Sequence, residues 1–250
     1  MDRTQLIEKL SEKVWFQNTD EEVKSDLLNL PQDFDGFLWD LASRPDEFEG
    51  VDILRILRIP RGNFIITPVF EVRSQKTNQI FTYEYASFKY GKNAGYRGIL
   101  LLEHGDGIKY FVLKYTKKFS VGTWVYDTIG DFIQFSQGSI KNFPAIVEKE
   151  IKNELGLNEL IVKRFIDLGQ INPDITLTNK QAALFAAVLD ANDSQKIREL
   201  EKDSITTKKI EFGIKVFPIN KLGEMINTVD DPYFLCSVLR LISMNILKLY

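Results

Sequence analysis

Glu148-Lys149-Glu150-Ile151-Lys152-Asn153-Glu154-Leu155-Gly156-Leu157 is the stretch on which the fold of this chain turns. Ile151 and Leu155 stand four apart, so they share one face of a helix. Gly156 follows the last apolar residue of the run and reads as a C-terminal stop. Glu150 and Glu154 are also four apart and project from a common face. Like charges at that spacing repel by a few tenths of a kcal/mol. A hard divalent cation between them would turn the repulsion into binding, because such ions prefer carboxylate oxygen. On spacing alone, a solvated acidic face is the better reading of the pair. The surrounding chain decides between these readings.

Upstream of this helix the hydrophobic period is that of strands. Val51–Ile59, Phe64–Val72, Ile80–Phe88, Ile99–Glu103 and Lys109–Tyr115 are the candidates. Gly105-Asp106-Gly107 joins the last two as a hairpin turn. Residues 121–134 read as a strand running into a loop, and the helix at 143–156 comes next. Beyond it the pattern predicts strands at 161–168 and 182–190, a charged helix at 194–203, a strand at 210–217 and a closing helix near 231–248. Before residue 47 the period is helical: Leu6, Leu10, Val14 and Trp15, then Val23, Leu27 and Leu28, then Phe37, Leu38 and Leu41. Strands on both sides of an amphipathic helix imply an α+β chain, an α/β/α sandwich on a mixed sheet. The expected division is a helical extension over residues 1–50 and a main domain over 51–250.

Composition bounds the function. The 250 residues carry a net charge of −3, which excludes a strong electrostatic footprint for nucleic acid. The lone cysteine, Cys236, rules out an intrachain disulfide and lies in an apolar run, where a buried structural thiol is expected. The lone histidine, His104, sits in turn chemistry, so a histidine-rich metal site is excluded. The N-terminus has no signal-peptide pattern and no apolar run reaches membrane-spanning length, so a cytoplasmic location is expected.

The order strand, hairpin, strand, Trp-containing strand, loop, glutamate helix, strand resembles the Nudix hydrolase fold. The family motif is G-x5-E-x7-R-E-U-x-E-E-x-G-U, with U a bulky apolar residue. Glu150 matches its first helix glutamate, Ile151 the apolar position, Glu154 the last glutamate and Gly156-Leu157 its end. Asn153 stands where the middle glutamate would be, and Lys149 where the arginine would be. Counting back, Lys141 falls on the upstream glutamate and Phe135 on the first glycine; a longer loop would let Gly130 serve instead. Trp124–Phe132 is similar to the family's strand and glycine loop. Leu168–Asp174 with Phe185–Val188 is similar to the segments C-terminal to the motif in ADP-ribose and sugar-nucleotide pyrophosphatases.

The resemblance implies Mg²⁺ or Mn²⁺ held by Glu150, Glu154 and Asn153. It implies Glu150 and Glu154 as the catalytic pair and a nucleoside diphosphate derivative as substrate. It also suggests substrate contacts from Arg97, Lys114 and Asp174, and a homodimer as the assembly. For these three residues the plainer readings are a connector, a solvated rim and a turn cap. Asparagine supplies an oxygen but no charge. Two functions therefore stand side by side. One is a divergent hydrolase of ADP-ribose or nucleotide-sugar type. The other is a module of the same fold that binds a nucleotide-like ligand or a protein partner with catalysis impaired.

Overall fold

The computed structural model describes residues 2–48, 50–93, 95–105, 107–131, 143–155, 162–190, 201–206 and 211–248. By contacts the chain divides into two compact units. The first comprises residues 1–95, 132–139 and 172–182; the second comprises 96–131, 140–171 and 183–250.

The first unit opens with helices α1 (Arg3–Ser11), α2 (Val14–Gln17), α3 (Glu21–Leu28) and α4 (Asp35–Ala42). Asp2 starts α1 with a capping box: its carboxylate accepts the Gln5 N–H at 2.9 Å while Gln5 Oε1 accepts the Asp2 N–H at 3.0 Å. Strands β1 (Glu47–Phe48), β2 (Val51–Arg58), β4 (Val69–Ser74) and β5 (Ile80–Glu84) form a sheet in the order β1-β2-β4-β5. The short strands β3 (Ile65–Ile66) and β6 (Ser87–Phe88) pair with each other. Leu6, Leu10, Trp15 and Phe37 from the helices share one core with Ile56, Phe70 and Tyr85 from the strands. Burying each such side chain contributes about 1.5–3 kcal/mol, so helices and sheet stabilise each other. Residue 50 lies inside this unit, whose helices and strands share a single core.

The second unit is built on a seven-stranded mixed sheet. Its strands are β7 (Gly95–His104), β8 (Gly107–Lys118), β9 (Thr123–Asp127), β10 (Val162–Ile171), β11 (Ala182–Asp190), β12 (Lys202–Thr206) and β13 (Glu211–Pro218). The order is β10-β11-β7-β8-β13-β12, and β9 pairs with β8. The β7–β8 hairpin closes where predicted, with His104 opposite Gly107 and Gly105 at φ +63°. Helices α5 (Phe143–Leu155), α6 (Leu222–Ile226) and α7 (Pro232–Ser243) complete it.

Alternation along the strands assigns the faces. Ile99, Leu101, Leu184, Ala186 and Val188 pack with Phe234, Val238 and Leu241 of α7. Ala187 points the other way, and it lines a cavity with Ile151 of α5 and Phe165 of β10. Helices thus cover both faces, and the unit is an α/β/α sandwich.

Two elements differ from the sequence reading. The charged helix expected at 194–203 ends in strand: Lys202 and the residues after it form β12, antiparallel to β13 with Ile205 opposite Phe212. Residues 191–200 lie outside the described residues. The single strand expected over Ile80–Phe88 is interrupted at Tyr85-Ala86, where Ala86 forms a parallel bridge with Thr178.

Candidate functional site

α5 carries the glutamates that the sequence singles out. Val147 and Ile151 are fully buried, which fixes the helix's inner face. On one flank Glu148 and Lys152 form an ion pair at 2.8 Å. Positions 150, 153 and 154 fall within about one turn on the other flank. Asn153 is exposed, as is Lys149. The side chains of Glu150, Glu154 and Leu155 lie outside the described residues, as do Gly156, Phe135 and Lys141.

The loop that leaves β9 is held from three sides. β9 pairs antiparallel to β8, with Tyr115 opposite Tyr126 and Lys114 opposite Asp127. Stacking of Tyr115 on Trp124, with centroids 5.2 Å apart, reinforces this register. Beyond Asp127 the chain turns onto β7: Gly98 N donates to Ile129 O at 2.8 Å, and Tyr96 N to Asp131 O at 3.1 Å. The approach is so close that a Cβ on Gly130 would stand 2.2 Å from the Tyr96 carbonyl oxygen. Only glycine fits there.

A buried carboxyl, Asp127, and a half-buried one, Asp231, meet at this loop. Asp127 forms an ion pair with Lys118, and the Arg97 charge lies nearby. Burial alone would raise the Asp127 carboxyl, but Arg97, Lys118 and a hydrogen bond with Asp231 hold it below the ordinary range. Asp231 caps α7: it accepts the Tyr233 N–H at 2.9 Å and the Thr128 N–H at 2.8 Å. Burial, and then the neighbouring Asp127 charge, push the Asp231 carboxyl up. The two carboxyls are thereby driven apart, with Asp127 the stronger acid of the pair.

Of the expected substrate contacts, Arg97 is half-buried. Its Nη1 donates to the Gly130 carbonyl, and its guanidinium carbon is 5.8 Å from the centre of the Tyr233 ring. Lys114 lies across the strand pair from Asp127, with its ammonium 4.9 Å from the Phe212 ring centroid. The structure thus brings Arg97, with Lys118, to Asp127, whereas the Lys114 ammonium is turned to Phe212 of β13. Asp174 belongs to the other unit, where its Oδ1 accepts the N–H groups of Thr176 and Leu177 at 3.0 and 3.1 Å, the geometry of a turn cap.

Asp127 and Asp231 were not singled out in the sequence. The signal for Asp231 was there, as an aspartate immediately before Pro232 at a helix start. For Asp127 there was none beyond its place at a strand end. Among the described residues no group of three or more His, Cys, Asp or Glu gathers in a way that could hold a metal ion. No described helix is long and apolar enough to cross a membrane.

The chain matches no protein-family model, and no curated protein matches it. Among solved structures it is similar to an ADP compounds hydrolase, with a TM-score of 0.54 and 12% sequence identity. The match covers 80% of this chain and 96% of that one. At that identity the likeness shows the fold alone, a Nudix-like α/β/α sandwich.

Proposed function

We propose that the chain is a divergent hydrolase that cleaves the diphosphate of a nucleoside diphosphate derivative, of the ADP-ribose or nucleotide-sugar class, with Mg²⁺ or Mn²⁺. The observation that carries the reading is α5: in a Nudix-like fold, this helix presents positions 150, 153 and 154 on the flank away from the Glu148–Lys152 pair. Hydrolases of this fold generally work with divalent metals.

The residue types on α5 fit such an ion. Glu150 and Glu154 offer two carboxylates, and the exposed Asn153 offers an amide oxygen. That is a hard, all-oxygen set. Glu154 would be the principal ligand and Glu150 a second ligand or the group that orients water. When bound, the metal neutralises phosphate charge and makes water a better nucleophile. Arg97 and Lys114 supply positive charge toward the diphosphate in this reading. The buried Asp127 attracts the Arg97 charge and keeps it at the loop.

The test is a panel of ADP-ribose and nucleotide sugars with Mg²⁺ or Mn²⁺ at high protein concentration. Glu154→Gln keeps size and removes the charge, so turnover is expected to vanish while the fold persists. Equal product release by wild type and variant would locate the activity elsewhere.

The exposure of Lys149 beside Asn153 favours a second reading, a module that binds a nucleotide-type ligand or a protein partner without turnover. An ammonium near the ligand positions disfavours a metal ion and favours phosphate directly. Calorimetry with and without Mg²⁺ separates the two, because metal-independent binding with no hydrolysis supports the module. A homodimer belongs to either reading as a proposal, checked by sedimentation.

A further inference from the structure

We infer that the open edge of β5 in the first unit docks an extended peptide segment of another protein, one with apolar side chains at alternate positions and a basic residue beside them. β5 ends its sheet in the order β1-β2-β4-β5. All five of its residues are exposed. The opposite edge strand, β1, is only two residues long. Short edge strands, proline, lysine and bulges are the usual guards against strand addition. β5, Ile80-Phe81-Thr82-Tyr83-Glu84, carries no proline or lysine, and its register against β4 has no bulge.

The phase of its backbone follows from the hairpin that joins it to β4. Ser74 N donates to Gln79 O at 2.9 Å, and the register continues with Val72 opposite Phe81 and Phe70 opposite Tyr83. In an antiparallel pair, hydrogen-bonded residues alternate with residues whose N–H and C=O point away. Phe81 and Tyr83 therefore bond to β4, while Ile80, Thr82 and Glu84 turn their backbone groups to the open edge. A peptide strand is the ligand that answers donors and acceptors in that alternation.

The side chains set what that strand carries. Phe81 and Tyr83 share a face with Phe70, Val72 and Ile53, and all of these line a cavity of about 450 Å³. On the edge strand itself, Phe81 and Tyr83 remain 40% and 46% exposed. A strand added there places alternate side chains beside the two rings, and bulky apolar ones would bury them. The other face of β5 carries Ile80, Thr82 and Glu84. Glu84 is exposed, stands opposite Val69 of β4, and pairs with no cation among the described residues. A basic residue opposite it on the incoming strand answers that charge. A second copy of this chain, paired antiparallel about Thr82, would set Glu84 against Ile80 and leave the charge unanswered.

The probe is the capped peptide acetyl-Thr-Lys-Leu-Thr-Leu-Thr-Gly-amide. In antiparallel register its lysine falls opposite Glu84 and its leucines beside Tyr83 and Phe81. It is titrated into the full chain by calorimetry. N-methylation of the central threonine removes the N–H that faces the edge, whereas N-methylation of the leucine after it removes one that faces solvent. The first should weaken binding at least about tenfold and the second less than about threefold. Thr82→Pro takes a donor from the open edge without touching the β4 ladder, and should also weaken binding at least about tenfold. Glu84→Lys should weaken binding of the lysine peptide about fivefold and favour a peptide with glutamate in its place. Equal binding of the two methylated peptides, or no saturable binding up to the solubility limit of the probe, overturns the inference. So does a wild-type chain that sediments as a dimer while Thr82→Pro sediments as a monomer, because a second copy then fills the edge. Should Thr82→Pro fail to fold by circular dichroism, the methylated pair on the wild-type chain decides alone.

Discussion

Asp231 accepts the backbone N–H of Thr128 at 2.8 Å across 103 positions of sequence. The same carboxyl accepts the Tyr233 N–H and so begins α7. One side chain therefore ties the start of a helix to the loop that leaves β9. That loop in turn supplies Gly130, whose carbonyl receives Arg97. The position of Arg97 thus depends on a helix cap more than a hundred residues downstream.

Asp231→Ala removes both acceptors at once. An N-cap contributes about 1 kcal/mol, and a buried N–H left unpaired costs about 1–3 kcal/mol. The expected loss in urea denaturation is about 2–4 kcal/mol. Asp231→Asn keeps one oxygen and turns an amide N–H toward the other donor, so its loss should be smaller. If both variants unfold within about 0.5 kcal/mol of wild type, the tether carries no weight.

Two glycines should respond in opposite ways to alanine. At Gly130 the new Cβ would meet the Tyr96 carbonyl at 2.2 Å, and backbone cannot move aside cheaply. Gly130→Ala should destabilise by about 3 kcal/mol or more, the range of severe overpacking. Gly223 lies in α6 with open space around its missing Cβ. Gly223→Ala should be neutral or stabilise by up to about 1 kcal/mol. Thermal melts of the pair in parallel decide it, and a reversal of their order would contradict the packing described.

Asp40 gives a pH dependence with a definite sign. Burial raises its carboxyl from the ordinary value of 3.8 to about 6, against the opposing pull of the Lys92 N–H, Lys92 and Arg44. The folded state thus holds the proton more tightly than the unfolded chain. This contribution to stability is complete below about pH 4 and is lost as pH rises through about 6. Asp40→Asn keeps an oxygen for the Lys92 N–H, which Asp40 accepts at 2.5 Å, and carries no titrating group. Relative to wild type, the variant should gain on the order of 1–2 kcal/mol between pH 4 and pH 7. Parallel stability curves at the two pH values would show that burial does not govern this carboxyl.

Much of the fold was legible because periodicity is local. α5 runs from Phe143 to Leu155 against an expected 143–156, and β11 occupies the expected 182–190. The missed features depend on partners far away in sequence. The break after β5 is set by a bridge from Ala86 to Thr178. β12 is strand despite its charge because β13 offers it an edge. β10 continues to Ile171 through Gly169, where Arg240 donates to the Leu168 and Gln170 carbonyls and holds the strand past its glycine. The site divides in the same way. The glutamate spacing on α5 is a property of one segment and was plain to see. The acid pair of Asp127 and Asp231 exists only once α7 has docked, and no window of sequence contains both.

Asn153→Glu tests the metal reading by adding the carboxylate that the helix lacks. Asn153 is exposed, so a longer side chain there displaces no core residue. Asparagine and glutamate differ by one methylene and one charge, and a third carboxylate raises the attraction for a divalent ion. The variant is expected to bind Mn²⁺ at least about tenfold more tightly than wild type by calorimetry, a difference of about 1.4 kcal/mol. Lys141→Glu should add to the gain if residue 141 stands where the resemblance puts it. The protein's melting temperature should rise with Mn²⁺ in the same order, since a ligand bound only by the folded state stabilises it by mass action. Unchanged Mn²⁺ affinity in Asn153→Glu, with the fold intact, would mean that positions 150, 153 and 154 do not converge on a common ion. The metal-independent module would then be the reading that remains.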